Sequence, residues 1–387
     1  MHRKALSALT VLFFMMGFIT CLNDILVPYL KKVFELTYTQ AALVQFFFFM
    51  AYGLASIPAS KMIEKWGYQK GMVIGFITTA LGCLLFFPAV SFHTYGLFLF
   101  ALFILASGIV VLQVAGNPYV SVLGPAETSS SRLTMTQAFN SLGTFLAPFF
   151  GSAFILSKIE DSGSSEAVKY PYLIIAFTLI VIAIVLSRLT LPKINFNPDN
   201  SGTWKNALSK KGLWLGMLGI FAYVGAEVTI GSFFVSFIQE TTAMIEVDAA
   251  NLVAFYWGGA MVGRFLGIFT LKKFAPGRVL FIHSLMAIAL ILIAVRSSGM
   301  FSVYALMLVG FCNSIMFPTI FTLALQGHEE MAEKASGLMS TAILGGAIIP
   351  ILTGLMADSY TLKFSLLIPA VCYFYIAYFG LIRKTQE

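Results

Sequence analysis

Twelve apolar stretches constrain this chain more than any other feature. They cover residues 7–30, 40–60, 71–90, 95–119, 133–156, 170–190, 212–238, 248–271, 278–296, 300–325, 335–357 and 362–382. An α-helix needs about 20 apolar residues to cross a bilayer, whereas a transmembrane β-strand needs only about 10 residues of alternating polarity. The sequence therefore predicts an all-α integral membrane protein with 12 transmembrane helices.

The charged residues are few, and their positions predict a topology. The chain is 59% hydrophobic and 11% charged, with a net charge of +7, whereas a soluble domain has about 25% charged residues. If the N-terminus is cytoplasmic, 17 of the 24 Lys and Arg residues lie on the cytoplasmic side, and Arg264 lies inside a predicted helix. This positive-inside bias predicts a multi-pass protein with both termini in the cytoplasm. The basic charge is then explained by topology, so we expect contact with membrane lipid and not with nucleic acid.

An internal repeat divides the chain into halves. The recurring motifs, 200 to 202 residues apart, are Asn117-Pro118 with Phe317-Pro318, and Leu142-Gly143 with Leu344-Gly345. Between them lies a polar, basic stretch, residues 191–211. We predict an N-terminal six-helix bundle over residues 1–190, a cytoplasmic linker over 191–211 and a C-terminal six-helix bundle over 212–387. Two parallel six-helix repeats, with a binding site between them near the bilayer midplane, are the plan of the major facilitator fold.

Two carboxylates lie inside apolar segments at matching places in the halves, Asp24 and Glu227. A charge at bilayer depth is costly, so it usually faces a cavity and serves transport, proton relay or an ion pair. Two such acids indicate a transporter. Glu227 has two possible roles: it could be a structural or gating partner of another residue, or it could contact the substrate. Arg264 is predicted to extend its side chain to the cytoplasmic face, with an ion pair to a buried acid as the alternative.

Amide, hydroxyl and aromatic side chains complete a candidate substrate site. Gln113 and Asn117 share one helix face, as do Gln137, Asn140 and Ser141. Amides and carboxylates match the hydroxyl groups of a sugar, and aromatic rings pack on its C–H face. The alternative is that these amides only hold helices together. The predicted substrate-binding residues are Gln113, Asn117, Gln137, Asn140, Ser141, Glu227, Tyr256, Trp257 and Asn313.

Asp24, with its neighbour Asn23, is the predicted cation-coupling residue, and three roles remain open for it. It could carry a proton, since burial moves a carboxyl group toward the working pH range. It could ligate Na⁺ together with Asn23, in which case Asp24 is a metal ligand. It could also be a structural acid bonded to backbone amides. No cofactor is predicted beyond the coupling ion, and the motifs of a zinc protease or a serine hydrolase are absent from the sequence.

Four stretches resemble the fucose–galactose–glucose:cation symporters of the major facilitator superfamily, and the resemblance runs nearly end to end. These stretches are residues 22–46, 106–125, 136–151 and 316–325, and the run LQVAGNPYV followed by QAFNSLG is the most specific. The resemblance implies that Asp24, in an LND motif, is the proton-linked residue. Fucose-carrying members have a glutamate where this chain has Gln113, as in the glucose/galactose branch, so the expected sugar shifts away from fucose.

We therefore predict a bacterial inner-membrane symporter that imports a hexose, of the glucose/galactose type or an N-acetylhexosamine, with H⁺ or Na⁺. It is expected to act as a monomer by alternating access, and not as an enzyme. The alternatives within transport are an exporter of drugs or metabolites and a sugar uniporter.

Overall fold

The computed structural model describes the backbone of residues 2–33, 38–151, 169–192 and 203–384. It also describes the side chains of these residues, except for residues 2–4, 23–33, 38–42, 148, 151, 246, 247, 250 and 384. Over the described residues every regular element is helical. A helix satisfies its backbone hydrogen bonds internally, which an apolar segment in lipid requires.

The described helices of the N-terminal half are α1 (His2–Val33), α2 (Tyr38–Trp66), α3 (Tyr68–Ser91), α4 (Tyr95–Val122), α5 (Ser129–Gly151) and α6 (Lys169–Arg188). A short helix, α7 (Trp204–Ser209), follows. The remaining helices are α8 (Lys211–Thr242), α9 (Glu246–Lys273), α10 (Pro276–Arg296), α11 (Gly299–Asn313), α12 (Met316–Leu325), α13 (Ala332–Thr341), α14 (Gly345–Ser359), α15 (Leu362–Ser365) and α16 (Leu367–Lys384).

Within the described parts of the chain, eleven stretches are long and apolar enough to cross a membrane. They coincide with eleven of the twelve predicted segments. The twelfth, predicted over residues 133–156, begins within α5 and extends beyond residue 151, where the described part of α5 ends. The helical pattern therefore agrees with the prediction wherever the chain is described.

Among the helical prolines, Pro118 and Pro318 remove a backbone hydrogen bond at equivalent places in the two halves. A proline has no N–H group, so the carbonyl four residues before it loses its helical donor. Pro318 affects the carbonyl of Ser314, where the tenth membrane segment breaks into α11 and α12. Pro118 affects the carbonyl of Val114 in α4, which accepts a hydrogen bond from the Ser336 hydroxyl instead (3.0 Å).

Contacts between residues divide the chain into two units. Unit 1 contains Met1–Leu123, Phe139–Gly202 and Glu330–Thr341. Unit 2 contains Gly124–Ala138, Thr203–Glu329 and Ala342–Glu387. Each unit thus includes one short segment from the other half of the sequence, at the start of α5 and in α13. The predicted boundaries at residues 190 and 212 stay a prediction.

Polar contacts hold each of these short segments in its unit. In unit 1, the Ser60 hydroxyl of α2 donates to the backbone carbonyl of Glu333 (2.7 Å), and Lys334 pairs with Glu64 (2.5 Å). In unit 2, the Ser131 hydroxyl donates to a backbone carbonyl of α9 (2.8 Å). Ser131 and Glu333 are 202 residues apart, the offset of the sequence repeat. The repeat therefore includes the packing of these segments as well as the motifs.

Two equivalent glycines allow close approach of helices within each unit. A Cβ atom on Gly143 of α5 would lie 2.2 Å from the backbone oxygen of Phe14 in α1. A Cβ atom on Gly345, at the start of α14, would lie 2.1 Å from the backbone oxygen of Phe221 in α8. Such contacts are too short for any side chain, so each helix pair depends on the glycine.

We expect Gly143→Val and Gly345→Val each to lower the free energy of unfolding by about 1–3 kcal/mol or more, because a side chain there must push two backbones apart. The measurement is the thermal unfolding midpoint of the purified protein in detergent. Gly258→Val is the matched control, because a Cβ atom at this helical position meets nothing within 4 Å. Equal losses at all three positions would contradict the explanation.

Candidate substrate and coupling site

Gln113 is the best-defined member of the candidate site in unit 1. It is buried on α4, and its Oε1 atom accepts a hydrogen bond from the Tyr52 hydroxyl of α2 (3.0 Å). Asn117, one turn further along α4, is fully buried. Tyr52 was not among the predicted site residues, since a tyrosine in an apolar segment carries no spacing signal that separates it from packing residues.

The three polar residues predicted on α5 differ in their surroundings. Gln137 and Ser141 are buried. Asn140 is half-buried, and its Nδ2 atom donates to the backbone carbonyl of Phe13 in α1 (3.0 Å). This bond joins two helices, so Asn140 performs the structural role that competed with ligand binding in the sequence analysis.

The predicted coupling residues lie on α1, but their side chains lie outside the described residues. This applies to both Asn23 and Asp24. Their position on a helix is described, and their assignment stays a prediction.

A connected polar network occupies the interior of unit 2. Tyr223 of α8 donates to Oε1 of Glu227 (2.7 Å), and the Tyr256 hydroxyl of α9 donates to the backbone carbonyl of Glu227 (3.3 Å). Asn313 of α11 donates to the Tyr256 hydroxyl (2.8 Å) and accepts from the Tyr373 hydroxyl of α16 (2.6 Å). The network joins four helices and brings together three of the predicted residues, Glu227, Tyr256 and Asn313.

Trp257 lies beside this network. Its side chain is 41% exposed, and its ring packs edge-on against that of Tyr256, with centroids 5.1 Å apart. Gly231 of α8 makes room for the indole, because a Cβ atom there would lie 2.8 Å from Cζ2 of Trp257. An exposed aromatic face next to buried hydroxyls suits contact with the C–H face of a sugar.

The prediction that Arg264 extends to the cytoplasmic face is wrong. Its side chain is 14% exposed, and its Nη2 atom lies 3.9 Å from Oε1 of Glu227. Its Nε atom donates to the backbone carbonyl of Ser314 (3.3 Å), the carbonyl that Pro318 leaves without a helical donor. The arginine therefore finds both an anion and an acceptor at depth, and an arginine buried in a membrane protein requires such partners.

Residues missed by sequence reasoning include Tyr373 and Ser314. Tyr373 is one of several aromatic residues in an apolar segment, and nothing in its spacing marks it. For Ser314 a signal existed, since a proline in a helix identifies the carbonyl four residues earlier as an acceptor. No cluster of three or more potential metal ligands occurs among the residues that the structure describes.

Long apolar helices with buried polar networks define a polytopic membrane protein of the transporter type. A model of the Major Facilitator Superfamily matches residues 8–350. The glucose/galactose transporter of Brucella abortus biovar 1 (strain 9-941) is 48% identical over 385 residues, which cover 98% of this chain and 93% of the relative. The L-fucose-proton symporter of Escherichia coli (strain K12) is 33% identical over 410 residues, which cover 98% of this chain and 92% of the relative.

Solved structures of sugar transporters are similar to this chain over nearly its whole length. The crystal structure of the transporter FucP in the outward conformation has a TM-score of 0.91 and 31% identity, with 99% of both chains covered. The proton:xylose symporter XylE has a TM-score of 0.80 at 13% identity, a likeness in fold alone, with 99% of this chain and 96% of that chain covered.

The chain therefore belongs to the major facilitator superfamily and, within it, to the fucose–galactose–glucose:cation symporter family. The predicted fold of 12 transmembrane helices in two six-helix bundles is confirmed. The protein is a multi-pass membrane transporter and not an enzyme, as predicted.

We expect Tyr373→Phe to lower the free energy of unfolding by about 1–3 kcal/mol, because it leaves the buried Asn313 Oδ1 atom without its tyrosine donor. Thermal unfolding in detergent measures the loss. Tyr378→Phe is the control, since Tyr378 lies on the same helix and is 49% exposed. If both variants lose equal stability, the hydrogen bond to Asn313 does not account for the effect.

Proposed function

We propose that this chain imports a hexose together with H⁺ or Na⁺ by alternating access across the bacterial inner membrane. The observation that carries the proposal is the 48% identity, over nearly the whole chain, to a relative named a glucose/galactose transporter. The proton symport of a second relative, named an L-fucose-proton symporter, supports coupling to a cation.

Gln113 supports a neutral hexose as the substrate. Its amide is buried and held by Tyr52. An amide donates to and accepts from sugar hydroxyls but does not titrate. We infer that Gln113, Asn117, Gln137 and Ser141 contact the sugar from the N-terminal half of the sequence, while Asn140 also holds α5 to α1.

In the C-terminal half, we propose that Glu227 and Trp257 contact the sugar. The carboxylate accepts bonds from hydroxyl groups, and the exposed indole packs on the sugar ring. Tyr223 and Tyr256 donate hydrogen bonds to Glu227, and Asn313 in turn donates to the Tyr256 hydroxyl. These hydrogen bonds orient Glu227 before a sugar binds.

The coupling role falls to Asp24, with Asn23 beside it. When a proton or Na⁺ neutralises Asp24, the loaded protein avoids the cost of moving a bare charge through a low-dielectric barrier. If the ion is Na⁺, Asp24 and Asn23 provide the oxygen atoms that such a hard cation requires. No other cofactor is proposed.

The test is uptake of labelled D-glucose, D-galactose, N-acetyl-D-glucosamine and L-fucose into proteoliposomes, with Na⁺ and pH gradients imposed separately. We expect one gradient to drive accumulation, and we expect Asp24→Asn to equilibrate sugar without accumulating it. Asp358→Asn is the control, since Asp358 is a carboxylate near the end of α14. Accumulation by Asp24→Asn would contradict the coupling role. Equilibration under both gradients by the unmodified protein would instead identify a uniporter.

We also infer that both termini are cytoplasmic and that the monomer, surrounded by lipid, is the working unit. Large apolar side chains such as Phe177, Phe269 and Phe374 are each 69% exposed, which suits contact with lipid chains. A fluorescent protein fused after residue 387 should fold and fluoresce in intact cells, whereas an alkaline phosphatase fused there should be inactive. Active phosphatase would reverse the topology.

A further inference from the structure

The Arg264 side chain connects a buried carboxylate to a helix break. Its Nη2 atom lies 3.9 Å from Glu227, and its Nε atom donates to the carbonyl of Ser314 (3.3 Å). The close packing of α9 on this break allows both contacts. A Cβ atom on Gly263, next to Arg264, would lie 2.5 Å from the Ser314 hydroxyl, and one on Gly267 would lie 2.4 Å from Ile315.

We propose that Arg264 is a built-in counter-cation for Glu227, so that this carboxylate takes no coupling cation during transport. The guanidinium also positions the carboxylate, because its second contact, to Ser314, fixes it against the α11–α12 break. This inference rests on the proposed symport function and adds to it the role of a particular ion pair.

Among the described residues whose charged or titratable groups face Glu227, Arg264 is the one that carries a positive charge. They are Tyr223 on its own helix, Arg264 and Tyr256 on α9, and Tyr373 on α16, while Cys312 on α11 faces Tyr256. An unperturbed tyrosine side chain is neutral below about pH 10 and becomes an anion above it. Tyrosine and cysteine side chains cannot supply a positive charge. The hydrogen bonds from Tyr223 and Tyr256 therefore orient Glu227 without neutralising it.

The pair has a consequence for cation coupling. A buried carboxylate without a cation is strongly disfavoured. If Arg264 is replaced by a neutral side chain, Glu227 must therefore take a proton or Na⁺ from solution in order to stay buried. Wherever Glu227 is ionised in the sugar-free variant, binding of a sugar that covers it should then take up one more cation than in the unmodified protein.

Four variants separate this charge role from simple packing. Arg264→Gln removes the charge, and Arg264→Lys keeps the charge but loses the planar fork that reaches both partners. The double variant Arg264→Gln/Glu227→Gln removes the anion together with its cation. Arg278→Gln makes the same charge change at an exposed position near the start of α10 and serves as the control.

The first measurement is the thermal unfolding midpoint of each purified variant between pH 5 and pH 9, without sugar. We expect the midpoint of Arg264→Gln to fall as pH rises, relative to the unmodified protein, because Glu227 ionises with no cation beside it. The double variant should lose this added pH dependence, and Arg278→Gln should never have it. Arg264→Lys should show a lower midpoint without the added pH dependence.

The second measurement is calorimetric binding of D-galactose and D-glucose in buffers of different ionisation enthalpy and at several Na⁺ concentrations. At pH values where Glu227 is ionised in sugar-free Arg264→Gln, we expect about one additional cation taken up per sugar. If that cation is a proton, affinity should fall roughly tenfold for each unit by which the pH rises. Arg264→Lys should return to the cation count of the unmodified protein.

An unchanged pH dependence of unfolding in Arg264→Gln would overturn the ion-pair proposal, whatever happens to sugar binding. An unchanged cation count alongside the altered unfolding would overturn its role in coupling. If the unmodified protein binds no hexose, the proposed function fails, while the unfolding series still decides whether Arg264 neutralises Glu227.

Discussion

Backbone hydrogen bonding without water is the constraint on which this structure depends. Each carbonyl at bilayer depth must find a donor inside the protein. Along an uninterrupted helix the chain supplies that donor itself, but Pro118 and Pro318 each remove one. The hydroxyl of Ser336 and the guanidinium of Arg264 replace them. In both units, therefore, a proline determines where a polar side chain from another helix must reach.

In unit 2 this requirement organises the polar interior. Arg264 reaches the carbonyl that Pro318 leaves unpaired, and from the same position its guanidinium faces Glu227. Tyr223 and Tyr256 hold the carboxylate and its backbone. The interior tolerates the charge of Glu227 because Arg264 balances it and tyrosine hydroxyls hydrogen-bond to the residue. The same hydrogen bonds and ion pair restrict the movement of the carboxylate.

Unit 1 differs from unit 2 in the chemistry of its candidate site residues. Its described candidate site residues carry amides or a hydroxyl group. Gln113 bonds to Tyr52, and Asn140 bonds to the backbone of α1. Such groups recognise a neutral polyhydroxyl ligand without a change of protonation. The candidate residues described in unit 1 are thus uncharged, whereas those of unit 2 include Glu227 with its ion pair to Arg264.

Particular residues show how much of the fold and of the candidate site the sequence could predict. The apolar segments were predictable because 20-residue runs have few alternatives in lipid. Gln113, Glu227 and Asn313 could be selected because polar side chains are rare in such runs. Tyr52 and Tyr373 could not, since an aromatic residue in an apolar segment serves equally well in packing. The prediction for Arg264 was wrong because its distance from the end of α9 does not reveal the Ser314 carbonyl on a neighbouring helix.

The sequence by itself determined the helices, the twofold repeat and the family, because hydrophobic length and local motifs are properties of contiguous residues. Only the tertiary structure decided which polar groups pair. It placed the start of α5 in unit 2 and α13 in unit 1, and it joined Arg264 to Glu227 and Ser314. These contacts link residues that are far apart in the chain, and their energy depends on burial and orientation that arise only when helices pack.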